Sequence, residues 1–287
     1  MTRLAILADI HGNPHAFEAV IDDIGRQGVD EAIIAGDLVG RGPCGAAVVD
    51  RALALGWPCL RGNHEDYALG FIRREVPEPW WTMDIWSASR WIAAEVARHR
   101  AFIEALPFSL ERGGPDGLLI VHGSPRSNSE GIGAWTSDED RAALLDGIAQ
   151  RVLVCAHTHR PFHDDSPRGQ IVNIGSVGLP FNGDWRAQYA IFDDAQGDWA
   201  VEFRQISYDR EAFLNLYAES GFLEQGGLTA ALLKIEVEQA RPFLMPFLKW
   251  ASQRGFDDPA PAMMARFLEI FDPTLPTAAQ IERLERG

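Results

Sequence analysis

The chain has 287 residues, 46% of them apolar, with 41 acidic against 26 basic side chains and a formal net charge of −15. That much apolar material can build one large domain, or one domain with an appendage, and excludes a disordered chain. The charge excludes a general grip on nucleic acid, whose phosphates demand lysine and arginine surfaces, and three cysteines without metal-type pairing (Cys44, Cys59, Cys155) fit a reduced, cytoplasmic protein.

The N-terminus, MTRLAILADIHGN, lacks the charged start, long apolar stretch and small-residue cleavage site of a signal peptide, and no run approaches a membrane-spanning length, so neither export nor a membrane span is expected. Short runs rich in Ile, Val and Leu then end repeatedly in polar, glycine-bearing clusters: LAILADIHGN, EAIIAGDLVGRG, PCLRGNHED, GLLIVHGSPR, RVLVCAHTHRP and QIVNIGSVG. Each reads as a buried strand. Helical stretches over residues 14–27 and 46–55 separate the first of them, giving a βαβα rhythm. In such sheets the functional loops lie beyond the C-terminal strand ends, where all six clusters fall.

From residue 66 to 111 the pattern turns helical and carries Trp80, Trp81, Trp86 and Trp91, expected to pack a helical insertion onto the sheet in preference to lining a cleft. After Ile206 the chain is helical to its end, with breaks expected at Gly226-Gly227, Pro242, Pro246, Gly255 and Pro273, and with Thr277 and Gln280 as a capping box for the last helix. Residues 228–287 are too apolar to stand free. They should pack on the chain's own surface or at a subunit interface, so monomer and homodimer both stay open.

The polar residues at the strand ends form one ordered set: Asp9 and His11 in DIH, Asp37 in GD, Asn63 and His64 in GNH, His122 in VHG, His157 and His159 in HTH. Each short motif is common by itself; the whole series at successive strand ends is not a chance arrangement. Imidazole, carboxylate and amide donors without thiolate favour a five- or six-coordinate Mn, Fe, Zn or similar ion over a structural zinc built on cysteines. Strand alternation puts Asp9 and His11 on one face, and His157 and His159 likewise, while Gly12, Gly36, Gly62 and Gly123 let backbones crowd a small centre. This suits a dinuclear site.

In this order the set resembles the calcineurin-like metallophosphoesterase superfamily, over roughly residues 3–206. VHGSPR, HTHRPF and NIGSVGLPFNGD are similar to the small prokaryotic phosphoesterases, GDLVGRGP and LRGNHED to protein phosphatases and dinucleoside tetraphosphatases. The resemblance implies an α/β fold, a four-layer α/β/β/α sandwich of two mixed sheets, as a catalytic domain over residues 1–206, with a helical insertion at 66–111 and a helical C-terminal extension at 207–287. It implies two divalent metal ions, Mn foremost with Fe, Zn, Ni or Mg possible. Asp9, His11, Asp37 and His159 would hold one, and Asp37, Asn63, His122 and His157 the other, with Asp37 bridging. A hydroxide shared by the two would attack phosphorus in line.

His64 matches the non-ligand histidine that stabilises phosphoryl charge or protonates the leaving alkoxide, and Arg41 and Asn13 match positions beside the substrate phosphate. Gly40 departs from the pattern, standing where protein phosphatases carry an aspartate that orients this histidine; Glu65 and Asp66 are possible replacements or loop caps. Ala156 replaces a glycine before HTH, and His15, His99 and His163 match no ligand position. The implied activity is hydrolysis of a phosphate ester, monoester or diester, on a small molecule, nucleotide or phosphoprotein. The alternative is a non-catalytic metal-binding scaffold, since some proteins of this fold, such as retromer-type subunits, serve as assembly modules.

Overall fold

The computed structural model describes residues 2–195, 197–275 and Leu284. Among the described residues nine strands form: β1 (Arg3–Leu7), β2 (Glu31–Ile34), β3 (Ser109–Arg112), β4 (Leu118–Val121), β5 (Val152–Cys155), β6 (Phe162–Ser166), β7 (Gly169–Asn173), β8 (Ala187–Asp193) and β9 (Ala200–Ile206). One mixed sheet runs β2-β1-β8-β9 and the other β3-β4-β5-β7-β6. The helices are α1 (Pro14–Gln27), α2 (Gly45–Leu55), α3 (Asn63–Arg73), α4 (Ser87–Val96), α5 (Arg100–Ala105) and α6 (Asp138–Asp146), followed by α7 (Arg210–Glu219), α8 (Phe222–Gln225), α9 (Gly227–Gln239), α10 (Leu244–Ser252) and α11 (Pro261–Ile270).

Alternation along the strands builds four layers. Leu4 and Ile6 of β1 face Ile120, Val154 and Val172 of the second sheet, making the core between the sheets. Their neighbours Ala5 and Leu7 point the other way, onto Phe17 and Val20 of α1 and Val48 and Val49 of α2. On the far side Val121, Leu153 and Ile171 pack on Leu144 and Leu145 of α6. The result is the α/β/β/α sandwich of two mixed sheets.

Several expectations are corrected. PCLRGNHED is no strand; it touches the first sheet through one bridge, Ile34 to Cys59, and gives way to α3 at Asn63. Residues 109–111, expected helical, begin β3, because the short segment finds its backbone partners on the antiparallel edge of β4. Strands β6, β8 and β9 lie outside the six apolar runs, and β9 alternates too weakly to stand out. The four tryptophans pack on helices: Trp80 and Trp86 stack at 3.6 Å beside Tyr67 and Phe71 of α3, Trp81 meets Phe71 edge-on at 5.3 Å, and Trp91 meets Phe222. Pro246 breaks nothing, since it occupies the first turn of α10, where its missing N–H has no intrahelical partner to lose. The Thr277–Gln280 capping box lies outside the described residues.

The segments that flank the site meet each other. Thr229 of α9 donates its hydroxyl to the Ile85 carbonyl at 2.9 Å, and Asp258 accepts the backbone N–H groups of Asp84 and Ile85, each at 3.0 Å. Ala88 and Ile92 of α4, Phe213 and Tyr217 of α7 and Leu233 of α9 share one apolar cluster. Among the described residues no helix is long and apolar enough to cross a membrane.

Candidate metal centre

Strand alternation does not bring the polar residues together, because β1 stops at Leu7 and β5 at Cys155, short of every one of them. The loops that follow turn left-handed. Among the described residues eight non-glycine side chains have positive φ; Arg74 and Ala240 end helices, and the other six are Asp9, His11, Asp37, Arg41, His157 and His159. Such a backbone costs about 1–2 kcal/mol per residue, so the strain is concentrated where side chains must be re-aimed. The loops are zipped together by backbone bonds from Asp9 N to Gly36 O (3.1 Å) and from His11 N to Asp37 O (3.0 Å). Gly62 is needed for contact: a Cβ there would lie 2.1 Å from Asp37 Oδ1.

Each central carboxylate is anchored by one oxygen and bare on the other. Asp9 Oδ2 accepts His157 N at 3.0 Å and Asp37 Oδ1 accepts His64 N at 2.9 Å. Asp9 Oδ1 and Asp37 Oδ2 are buried without a hydrogen-bond partner. Around them His11 Nδ1 donates to Val39 O, His122 Nδ1 to Ala35 O and His159 Nδ1 to Leu179 O, since a carbonyl can only accept. In the neutral rings the Nε2 lone pairs therefore face inward. His11 and His159 meet Nε2 to Nε2 at 3.0 Å, and His122 Nε2 lies 3.1 Å from Asn63 Oδ1 and 3.3 Å from Asp37 Oδ2. His157 Nδ1 reaches the same Asn63 oxygen at 2.9 Å.

Acceptors gathered on acceptors in a buried space demand a cation. The groupings Asp9–His11–His159 and Asp9–Asp37–His122 each place their ligand atoms within 4.8 Å of one another, so the donor set fits divalent metal ions. Without metal, protons must do the neutralising. Burial lifts Asp9 well above the usual carboxylate range, while Asp37 is held well below it because His122 and His64 outweigh its burial. For His122 burial acts downward, but the Asp37 and Asp9 carboxylates prevail and push it up to about 10. Burial drives His11 down to about 3 and His157 to about 4, and lowers His64 and His159 as well.

His64 stands beside this centre, its ring edge-on to His11 at 4.9 Å. Neither Glu65 nor Asp66 orients it. Glu65 is a buried stitch that accepts the N–H groups of Asp37 (2.9 Å), Val39 (3.1 Å) and Gly62 (2.7 Å), and Asp66 pairs with Arg61 and Asn128. Arg41 takes that part, its Nε donating to His64 Nε2 at 3.3 Å. The departure at Gly40 now has a steric meaning, because a Cβ at that position, φ +89°, would lie 2.3 Å from His64 Nδ1. The imidazole occupies the space in which an aspartate would begin.

Asn13 does not join the site. It is fully buried, its Oδ1 accepts Ala16 N to cap α1 and its Nδ2 donates to Gly178 O, so the amide is committed to the loop scaffold. Arg41 faces a cavity of about 510 Å³ that opens on Asn63, His64 and His157. Tyr67, Trp86, Ile92, Trp135, Leu233, Leu244 and Leu248 line it as well. Trp86 thus lines the cleft after all. One further residue had no signal in the sequence: Glu236 of α9, fully buried, accepts Arg41 Nη1 at 3.0 Å from 195 residues away. One of two glutamates on a largely apolar helix, far outside the motif-bearing segment, carries no pattern that ties it to an arginine.

The calcineurin-like phosphoesterase family model matches residues 2–170. The crystal structure of a metallophosphoesterase from Sphaerobacter thermophilus superposes with a TM-score of 0.68 at 29% identity, covering 83% of this chain and 99% of that one. A hypothetical protein from Pyrococcus horikoshii shares the fold with a TM-score of 0.68 at 21% identity, over 79% of this chain and 96% of its own. An uncharacterized protein of Methanocaldococcus jannaschii is 25% identical over 224 residues, 72% of this chain and 88% of that protein. With the family match spanning more than half of its length, the chain belongs to the calcineurin-like phosphoesterase family.

Proposed function

We propose that the chain hydrolyses phosphate esters at a dinuclear metal centre, with Asp9, His11, Asp37 and His159 holding one divalent ion and Asp37, Asn63, His122 and His157 the other. The observation that carries this reading is the pair of buried, partnerless carboxylate oxygens facing inward imidazole nitrogens. Two bound cations supply an acidified water as nucleophile and charge neutralisation at the phosphoryl oxygens. Donors without thiolate suit manganese first, with Fe, Zn, Ni or Mg admitted.

The chain's own residues do the rest. Arg41 offers its guanidinium to the phosphoryl oxygens from the cavity wall. Its Nε bond to His64 Nε2 holds the imidazole toward the same space. A phosphate that draws the Arg41 donor away frees Nε2 to take up a proton, and the imidazolium can then donate to a phosphoryl oxygen or pass that proton to the leaving oxygen. The cavity, within the usual size of small-ligand sites, takes an ester group and keeps bulk water from it. A metal-binding scaffold without turnover has no use for a cavity that opens on the ligands.

Protein purified without chelator and incubated with Mn should carry close to two ions per chain and turn over p-nitrophenyl esters. His64→Ala should keep those ions and lose about 10²-fold or more in kcat on alkyl esters. Full metal content with no turnover of any ester would leave the scaffold as the reading; one ion or none would remove the dinuclear centre.

A further inference from the structure

Arg41 reaches the cavity with its charge already answered. Glu236 accepts Arg41 Nη1 through Oε2 at 3.0 Å, while its Oε1 accepts the backbone N–H groups of Phe243 at 2.7 Å and Leu244 at 2.8 Å. The carboxylate is therefore positioned by the turn between α9 and α10, whatever Arg41 does. The arginine is held elsewhere as well: Tyr217 donates its hydroxyl to the Arg41 backbone carbonyl at 3.1 Å, and the guanidinium lies over the Phe181 ring at 5.8 Å. This is a built pair, Glu236 buried and Arg41 half-buried at the cavity. The other arginine of the cavity wall, Arg160, donates Nε to the Phe181 carbonyl, and its charged neighbour is Arg241.

A phosphate monoester carries nearly two negative charges at neutral pH, a diester one. A dianionic phosphoryl group laid against Arg41 meets a guanidinium whose charge Glu236 cancels, in a space where the carboxylate's repulsion is weakly screened. A diester replaces one charged oxygen by a second ester group. Such a group needs apolar walls, and Leu233, Leu244 and Leu248 supply them together with Tyr67 and Trp86.

Resting on the phosphoesterase reading above, we infer that the substrate is a phosphodiester with an apolar, ring-bearing ester group seated in the cavity, and that Glu236 sets this preference by neutralising Arg41. The C-terminal extension thus acts as a specificity element. Glu236 touches no reacting atom and works through Arg41.

The test uses the full-length, Mn-loaded protein and compares kcat/KM for bis(p-nitrophenyl) phosphate and p-nitrophenyl phosphate. The wild type should favour the diester, and Glu236→Gln and Glu236→Met should each shift the ratio toward the monoester by about tenfold, the value of a charge-assisted bond regained by the phosphate. Leu233→Trp, which fills the cavity, should shift the ratio the same way by loss of the diester. A second readout needs no turnover: diphenyl phosphate should quench the fluorescence of Trp86 and Trp135 at lower concentration than phenyl phosphate, and Glu236→Gln should narrow the gap. A wild type that prefers the monoester, or ratios that neither Glu236 variant moves while the protein stays folded, overturns the proposal. If neither ester is hydrolysed, the failure belongs to the proposed activity, and the binding comparison alone decides the charge preference.

Discussion

At the scale of single residues, the centre trades stability for binding. Asp9 Oδ1 is buried without a partner, 3.7 Å from His11 Nε2 and 3.5 Å from His159 Nε2, and burial pushes its carboxyl well up. An amide would suit the metal-free protein better. In Asp9→Asn the oxygen can keep the bond from His157 N while the NH₂ donates to the imidazole lone pairs that now face nothing but acceptors. After chelation this variant should melt higher than the wild type. Addition of Mn should reverse the order, since a ligand at about 100 times its Kd stabilises by about 2.7 kcal/mol and the neutral amide forfeits most of that. Differential scanning calorimetry with and without Mn reads both halves; equal gains on metal addition would remove Asp9 from the ligand set.

At the scale of elements, one helix caps another. The N-cap of α2, Cys44, makes no side-chain cap bond, and the first-turn N–H of Ala46, which has no intrahelical partner, is taken instead by Glu95 of α4, whose two oxygens lie 2.9 and 3.0 Å away. A carboxylate at a helix N-terminus is favourable for orphan donors and dipole alike. Burial nonetheless pushes Glu95 from 4.5 up to about 7, against the opposing pull of the Ala46 bond and Arg98. A carboxyl raised on folding binds its proton more tightly in the folded state. Its contribution is complete below the unfolded value and is lost as pH rises through about 7. Glu95→Gln removes that dependence, so the melting temperature of the variant relative to the wild type should climb from about pH 4.5 to about pH 8. A flat or falling difference would mean that Glu95 titrates normally in the fold.

At the scale of the molecule, the insertion and the C-terminal helices close over the strand ends. Leu228 and Leu232 of α9 pack with Phe247 and Trp250 of α10 and Phe267 of α11, while Leu233 and Val237 pack with Ile92 and Phe213. The two faces of α9 thus bind it to both neighbours, at about 1.5–3 kcal/mol for each large side chain buried. Ending the chain at Gly227 should strip the cover from Ile92, Phe213 and Tyr217 and leave Arg41 without Glu236. The truncated protein should aggregate and lose heat stability although all seven proposed ligands remain. A soluble, monomeric and equally stable product would make the extension an independent module.

What the sequence determined by itself is local. Continuous Ile, Val and Leu runs with glycine-bearing ends specify β1, β2, β4, β5 and β7, and the residue types behind them, imidazoles and carboxylates without thiolate, specify the chemistry that the loops offer. Helix α1 is legible for the same reason, from Asn13 and Pro14 at its start and Gly28, φ +63°, at its end. Tertiary structure alone decided the rest. Short or edge strands such as β3 and β6 depend on a partner for their hydrogen bonds, and their own side chains hold no strong period. The side chains of Asp9, His11, His157 and His159 are aimed by left-handed turns, uncommon even for aspartate and histidine, imposed by the loops bonded to them. Glu236 meets Arg41 only because α9 packs back across the mouth of the sandwich, and a contact across 195 residues follows from how faces fit, not from any spacing along the chain.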